Sequence, residues 1–302
     1  MIDFAMFEIP LQDLESAIAK PAFAPRPGAR LAIAPKPAPF VAPTLRLADE
    51  DTKSALAAEV ILVRAPAAVG KSIMAAYLSS ANKLPLLNLA DVPVSTNSLV
   101  GLIQSDIVGG GDPIDAFHRG ELPIIVDALD EGRLLSGEQG FEGFLETTGE
   151  LLLRDRSCTN RAKLLLLGRH ESVEFADLGI KLADAGIATS SVELGFFDEA
   201  SAWEMIKLYA STLAKPDAAY FTHPEPVNDL IQAYFDAMES ALGLTAGSLW
   251  TDDRGRSFAG YAPVLAALGS LIADMDQFNV VENRLRSAGA HQAWDVIETV
   301  LE

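Results

Sequence analysis

The chain has 302 residues, 49% of them hydrophobic, which is enough for two domains with a sizeable core. Forty-two acidic residues against 23 basic ones give a formal net charge of −19, which argues against a nucleic-acid surface over most of the chain and leaves room only for a small basic patch. One cysteine, Cys158, excludes an internal disulfide, no run of about 18 apolar residues offers a membrane span, and Met1-Ile2-Asp3-Phe4 lacks the basic start of a signal peptide, so a cytoplasmic protein is expected.

Residues 1–48 are expected to form an N-terminal segment of their own. Leu11, Leu14 and Ile18 recur at helical spacing, in a piece too short to be stable alone. Pro21, Pro25, Pro27, Pro35, Pro37, Pro39 and Pro43 follow with alanines between them, which suits an extended, semi-rigid arm and prevents a helix. From Lys20 to Arg46 the only charges are positive, so the arm is expected to lie as a strap over an acidic domain. Asp3 and Glu8 speak against a transit peptide.

A short helix is expected over 49–57, and a strand over about 59–64 in the apolar run Val60-Ile61-Leu62-Val63. The run enters Ala65-Pro66-Ala67-Ala68-Val69-Gly70-Lys71-Ser72, followed by an alanine-rich helix over about 71–80. Strand, small-residue loop and helix in this order form the context of a phosphate-binding P-loop, in which backbone N–H groups and the helix N-terminus hold the phosphates. Lys71 is expected on the β- and γ-phosphates and the Ser72 hydroxyl on Mg²⁺. The pattern has glycine where this chain has Ala65, and glycine also commonly stands at the position of Ala68. Alanine in a left-handed conformation costs roughly 1 kcal/mol.

A strand is read at 84–89, a helix from Ser98 to Ile107 ahead of three glycines, and a short helix from Asp112 to His118. Leu122-Pro123-Ile124-Ile125-Val126-Asp127-Ala128-Leu129-Asp130-Glu131 is an unbroken apolar strand that ends in carboxylates. Such a run suits a strand buried on both faces of a parallel sheet, and its C-terminal tip is where such sheets bind ligands. Asp127 is expected to hold Mg²⁺ through water or through Ser72, and Glu131 or Asp130 to orient or deprotonate an attacking water.

Phe141, Phe144, Leu145, Thr148 and Leu152 set an amphipathic helix over about 138–155, and strands follow near 163–167 and 190–194 with a helix between. Alternating strands and helices imply a parallel sheet with right-handed crossovers. After Phe197 only helical patterns remain: Trp203 to Leu213, Val227 to Leu242, Pro263 to Met275, and Val280 to Leu301 with a break at Ser287-Ala288-Gly289. The fold expected is therefore an α/β P-loop core with a parallel sheet flanked by helices over 49–197, followed by an all-α domain over 198–302. His118, His170, His223 and His291 show no metal-ligand spacing. Asn82-Lys83 lacks the following Asp that guanine-specific enzymes use, which leans towards adenine. Asp252-Asp253 beside Arg254 and Arg256 reads as a surface loop.

The Gly70-Lys71-Ser72 loop followed by Asp127-Ala128-Leu129-Asp130-Glu131 resembles the NACHT branch of the STAND nucleoside triphosphatases, with Ala128 at that family's tiny position. Lys163 to Arg169 resembles the sensor 1 strand, with Gly168 where Thr or Ser usually precedes the arginine. Glu193 to Glu199 resembles the junction to the helical domain, and Pro263 the head of the helix that covers the base. The resemblance spans roughly residues 55–275 and adds Arg169 to the catalytic candidates and Pro263 to the nucleotide contacts. It implies an ATP- or ADP-bound, Mg²⁺-dependent switch in signalling or defence, with slow hydrolysis. It also implies self-association or a separate sensor or effector partner, since no winged-helix, repeat or effector segment is evident and the helical pattern runs on to Leu301-Glu302, as in a fragment of a longer protein. An AAA-type remodeller or loader is the alternative enzyme, with Arg284 and Arg286 as its sensor 2 candidates, and a nucleotide-locked structural module is the alternative without turnover.

Overall fold

The computed structural model describes residues 7–47, 56–155, 160–169, 173–216, 218–222, 224–275 and 278–287. Most of the helix expected over 49–57, the C-terminal part of the last helical pattern, and Cys158, His170, His223 and His291 lie outside these residues. The chain divides into two units, one made of the described residues of Met1–Pro37 and Thr44–Gly195, the other of those of Ala38–Pro43 and Phe196–Glu302.

The first unit is built on a seven-stranded sheet. Its strands are β1 (Phe7–Pro10), β3 (Thr44–Leu47), β4 (Val60–Ala65), β5 (Leu86–Asn88), β7 (Ile124–Asp127), β8 (Leu164–Arg169) and β9 (Thr189–Leu194), in the order β1-β3-β9-β4-β8-β7-β5. From β9 to β5 every pairing is parallel, as the alternation of strands and helices predicts. The helices α2 (Lys71–Asn82), α3 (Ser98–Asp106), α4 (Pro113–His118), α5 (Leu129–Arg154) and α6 (Val173–Asp184) supply the crossovers, after α1 (Leu11–Ala17) near the start of the chain. The central strands are apolar without interruption because both faces are covered: all four residues of β7 are buried, and so are five of six in β4.

Glu59 and Lys163, just ahead of β4 and β8, are fully buried and paired at 2.8 Å, and the backbone N–H of Lys163 donates to the Glu59 carbonyl at 2.8 Å. This pair fixes the start of the β4–β8 register, in which Val60 stands opposite Leu164 and Ala65 opposite Arg169.

The N-terminal segment is more than an arm laid over this unit, because parts of it belong to the sheet. β3 pairs antiparallel with β9, and β1 pairs antiparallel with β3. Pro10 is tolerated in β1 because β1 is an edge strand, where a missing N–H breaks no inner ladder. A two-residue β2 (Ala24–Pro25) pairs with β6 (Ile107–Val108). Ala32 bridges Leu86 through hydrogen bonds of 3.2 and 2.9 Å, which covers the opposite edge at β5. One segment thus extends the sheet beyond β9 at one edge, ending in the proline-bearing edge strand β1, and bridges β5 at the other, where an open edge would otherwise invite pairing with another chain. Leu11, Leu14 and Ile18 are all buried, as their helical spacing predicts, although α1 ends at Ala17.

The second unit is helical: α7 (Glu199–Leu213), α8 (Ala219–Thr222), α9 (Pro224–Ala241), α10 (Asp253–Ala259), α11 (Ala262–Ala273) and α12 (Phe278–Ser287). Its core gathers Ile206, Leu230, Tyr234, Phe235, Leu265 and Leu268, and Val41 from the N-terminal segment is buried among them. Gly269 lets α11 approach α7 closely, since a Cβ there would stand 2.5 Å from the Tyr209 Cβ. Among the described residues no single helix is long and apolar enough to cross a membrane.

Candidate nucleotide-binding site

The loop between β4 and α2 is shaped for phosphate. Gly70 sits in the left-handed region (φ 97°, ψ 18°) as the N-cap of α2, and a Cβ there would meet nothing within 4 Å. Glycine is needed here for conformation and not for space. Ala68 is also left-handed, at φ 55°, so the cost of roughly 1 kcal/mol for alanine applies at this position. It does not apply at Ala65, which ends β4 in strand conformation opposite Arg169. The loop therefore lacks one of the two glycines at no conformational cost. Pro66, Ala67 and Ala68 are partly or fully exposed and Val69 is buried, so side chains anchor the loop from one side only. Lys71 and Ser72 open α2, with Ser72 exposed.

Asp127 ends β7 and is 3% exposed. Burial pushes its carboxyl above the usual range, against the Ser72 hydroxyl and Ala128 N–H that hydrogen-bond to it and the Lys71 charge; Glu131 adds to the upward push. Its Oδ1 has no hydrogen-bond partner among the described residues. A buried carboxylate oxygen without a partner, beside a hydroxyl and an ammonium, fits a divalent cation. Mg²⁺ takes few protein ligands and completes its shell with water and phosphate, so Asp127 and Ser72 suffice. Accordingly, no group of three or more His, Cys, Asp or Glu among the described residues is arranged to hold a metal alone.

The chain turns from β7 into α5 through Ala128, which is left-handed (φ 63°, ψ 43°) and nearly buried. A small residue meets this strain at least cost. Asp130 and Glu131 therefore lie in the first turn of α5. This helix begins well before the expected 138, and a non-helical Gly137 (φ 71°, ψ 161°) breaks it, so the apolar spacing reveals only its second half. Gly132 lets the first turn seat against the chain after β5, because a Cβ there would stand 2.6 Å from the Leu89 Cβ.

Arg169 ends β8, the strand between β4 and β7. Its Nε lies 3.2 Å from Asp130 Oδ2 and its Nη2 3.5 Å from Glu131 Oε1. Gly168 pairs with Arg64 in the register and offers no hydroxyl. The first unit thus brings together the 65–72 loop, Asp127, Asp130, Glu131 and Arg169. Pro263 belongs to the helical unit, exposed in the first turn of α11. Asn82 is buried at the end of α2, bonded to Glu15 and the Leu78 carbonyl, and serves that helix end. Sequence reasoning missed Gly132 and the conformation of Ala128, for which a glycine directly after the carboxylates is the one signal in the chain; the left-handed Ala68 was anticipated from the glycine that commonly stands there.

No family model matches the chain, and no curated protein matches it. Among solved structures, the Walker-type ATPase paby2304 of Pyrococcus abyssi is similar at 14% identity with a TM-score of 0.42, over 83% of this chain and 71% of that one. RuvB of Thermotoga maritima is similar at 14% identity with a TM-score of 0.37, over 80% of this chain and 62% of that one.

Proposed function

We propose that this chain binds ATP or ADP with Mg²⁺ at the 65–72 loop and hydrolyses ATP slowly. The observation that carries the reading is the unpartnered Oδ1 of buried Asp127 beside Ser72 at the head of a helix capped by left-handed Gly70. Mg²⁺ would supply positive charge that offsets the charge of the phosphates. Backbone N–H groups of the loop and α2 hold the phosphate oxygens, and Lys71 adds a mobile cation. Asp127 and Ser72 would hold that metal. Glu131 orients the attacking water and accepts its proton while the water oxygen bonds to the γ-phosphorus. The bond from that phosphorus to the β–γ bridging oxygen breaks, and ADP leaves with the bridging electrons.

The resemblance to NACHT and STAND proteins supports a finer reading: a signalling or defence switch in the cytoplasm, working by self-association or with an effector or sensor partner. A switch needs two arrangements with different affinity for the nucleotide, and has no need of rapid flux. Pro263 is then the contact of the helical domain with the base or ribose. A nucleotide-locked structural module is the second reading, favoured by Ala68 at φ 55° and by the missing hydroxyl at Gly168. A turnover assay separates the two.

Calorimetric titration tests the binding. Lys71→Ala is expected to weaken ATP and ADP at least tenfold, about 1.4 kcal/mol. Equal affinity in wild type and Lys71→Ala overturns the reading.

A further inference from the structure

We infer that Arg169 acts on the carboxylate pair and not on the phosphates: anchored by Asp130, it is a positioning residue that holds Glu131 where it meets the attacking water. The inference rests on the ATPase reading and deepens it by dividing the roles of three residues.

The two contacts of Arg169 are unequal. Its Nε reaches Asp130 at 3.2 Å, and the Asp130 side chain is 20% exposed. Its Nη2 reaches Glu131 only at 3.5 Å, and that side chain is 45% exposed. The shorter, better-covered contact is the anchor. The longer one leaves Glu131 oxygen lone pairs free for water. Both carboxylates sit on one helical turn held from two sides, by left-handed Ala128 and by Gly132 against Leu89. The guanidinium is planar, so one arginine can span two neighbouring carboxylates with separate nitrogens. Arg169 enters this turn from the strand tip next to the loop strand, which sets the side from which Glu131 is steered. The loop already has its phosphate cation in Lys71. Half-exposed ion pairs add little to stability, so what this one supplies is geometry, and its variants are expected to fold.

The test measures ATP and ADP dissociation constants and single-turnover rates on the full chain, for wild type, Arg169→Gln, Arg169→Lys, Asp130→Asn and the Arg169→Gln/Asp130→Asn pair. Arg169→Gln is expected to leave both affinities within about twofold and to slow the chemical step about tenfold or more, because an interaction with the base acts in the transition state and not in substrate binding. Lysine, a point charge, is expected not to restore the rate. The double variant is expected to be no slower than the slower single one, since the two residues act as a unit. Arg169→Gln weakening ATP about tenfold with ADP unchanged would place the guanidinium on the γ-phosphate and overturn the inference. Multiplying effects of the two single variants would overturn it as well. Loss of nucleotide binding in the wild type is a separate result: it removes the ATPase reading itself, whereas these patterns remove only the assignment of Arg169.

Discussion

Lys163 Nζ donates to Glu59 Oε2 at 2.8 Å, and neither side chain is exposed to solvent. Two charges withdrawn from water are costly, and their attraction offsets that cost only while both are present. Lys163→Met alone is expected to destabilise the chain by about 3–5 kcal/mol, while Lys163→Met combined with Glu59→Leu is expected to lie much closer to wild type. Urea unfolding curves of the three proteins check this, and equal losses in the single and double variants would contradict it.

His118, in α4, is 5% exposed and packs edge-on against Phe117 at 6.0 Å between ring centroids. Burial first, then the Lys163 charge, pushes its imidazole below the usual range. The unfolded chain therefore takes up this proton more readily than the folded one. Stability is unaffected above the ordinary histidine value and falls as pH drops below about 6.5. His118→Phe is expected to flatten the loss of stability between about pH 7 and pH 5.5 relative to wild type. Parallel pH dependences in the two proteins would remove His118 as the cause.

Asp127 has the opposite sign. Its folded carboxyl is raised, so near neutral pH its charge works against folding and protonation relieves that burden as the pH falls. Asp127→Asn is expected to stabilise the ligand-free protein by an amount on the order of 1 kcal/mol, read as a higher melting temperature. The same substitution is expected to abolish the Mg²⁺ dependence of nucleotide affinity. A variant that is less stable and still responds to Mg²⁺ would show that the orphaned oxygen is not a metal ligand.

Gly132 fixes how deep the first turn of α5 sits. A methyl group there collides with the Leu89 side chain at 2.6 Å and must lift the turn that carries Asp130 and Glu131. Gly132→Ala is expected to slow turnover about tenfold or more while leaving ATP affinity within a few-fold of wild type, because displaced catalytic groups lose orientation first. Single-turnover kinetics beside calorimetry give both numbers, and a wild-type rate would mean that the turn is not held by this contact.

Much of the parallel core was legible in the residues. Val60 to Val63 and Ile124 to Val126 are unbroken apolar runs; the first leads through Arg64 into the 65–72 loop and the second ends at Asp127, so strand and site were read together. The antiparallel edge was not legible. Prolines from 21 to 43 suppress any strand reading, and Thr44–Leu47 is a four-residue strand defined by its partner β9, far along the chain. The early start of α5 was not legible because its apolar spacing begins only at Phe141, beyond the non-helical Gly137, while Gly132 in its first turn is a packing contact. Asp130, Glu131 and Arg169 were each named from the sequence, but the ion pairs among them depend on β8 lying between β4 and β7, an order that spacing along the chain does not reveal.

The most direct measurement is ATP binding and single-turnover hydrolysis by Glu131→Gln beside wild type, in the presence of Mg²⁺. Glutamine keeps the shape and removes the charge that takes the proton from water. The account predicts unchanged ATP affinity, hydrolysis slower by about 10² or more, and accumulation of the ATP-bound form. Hydrolysis at the wild-type rate contradicts the role of Glu131 and passes it to Asp130; if Asp130→Asn is equally without effect, the carboxylate pair is a solvated helix turn and the ATPase account gives way to the structural module.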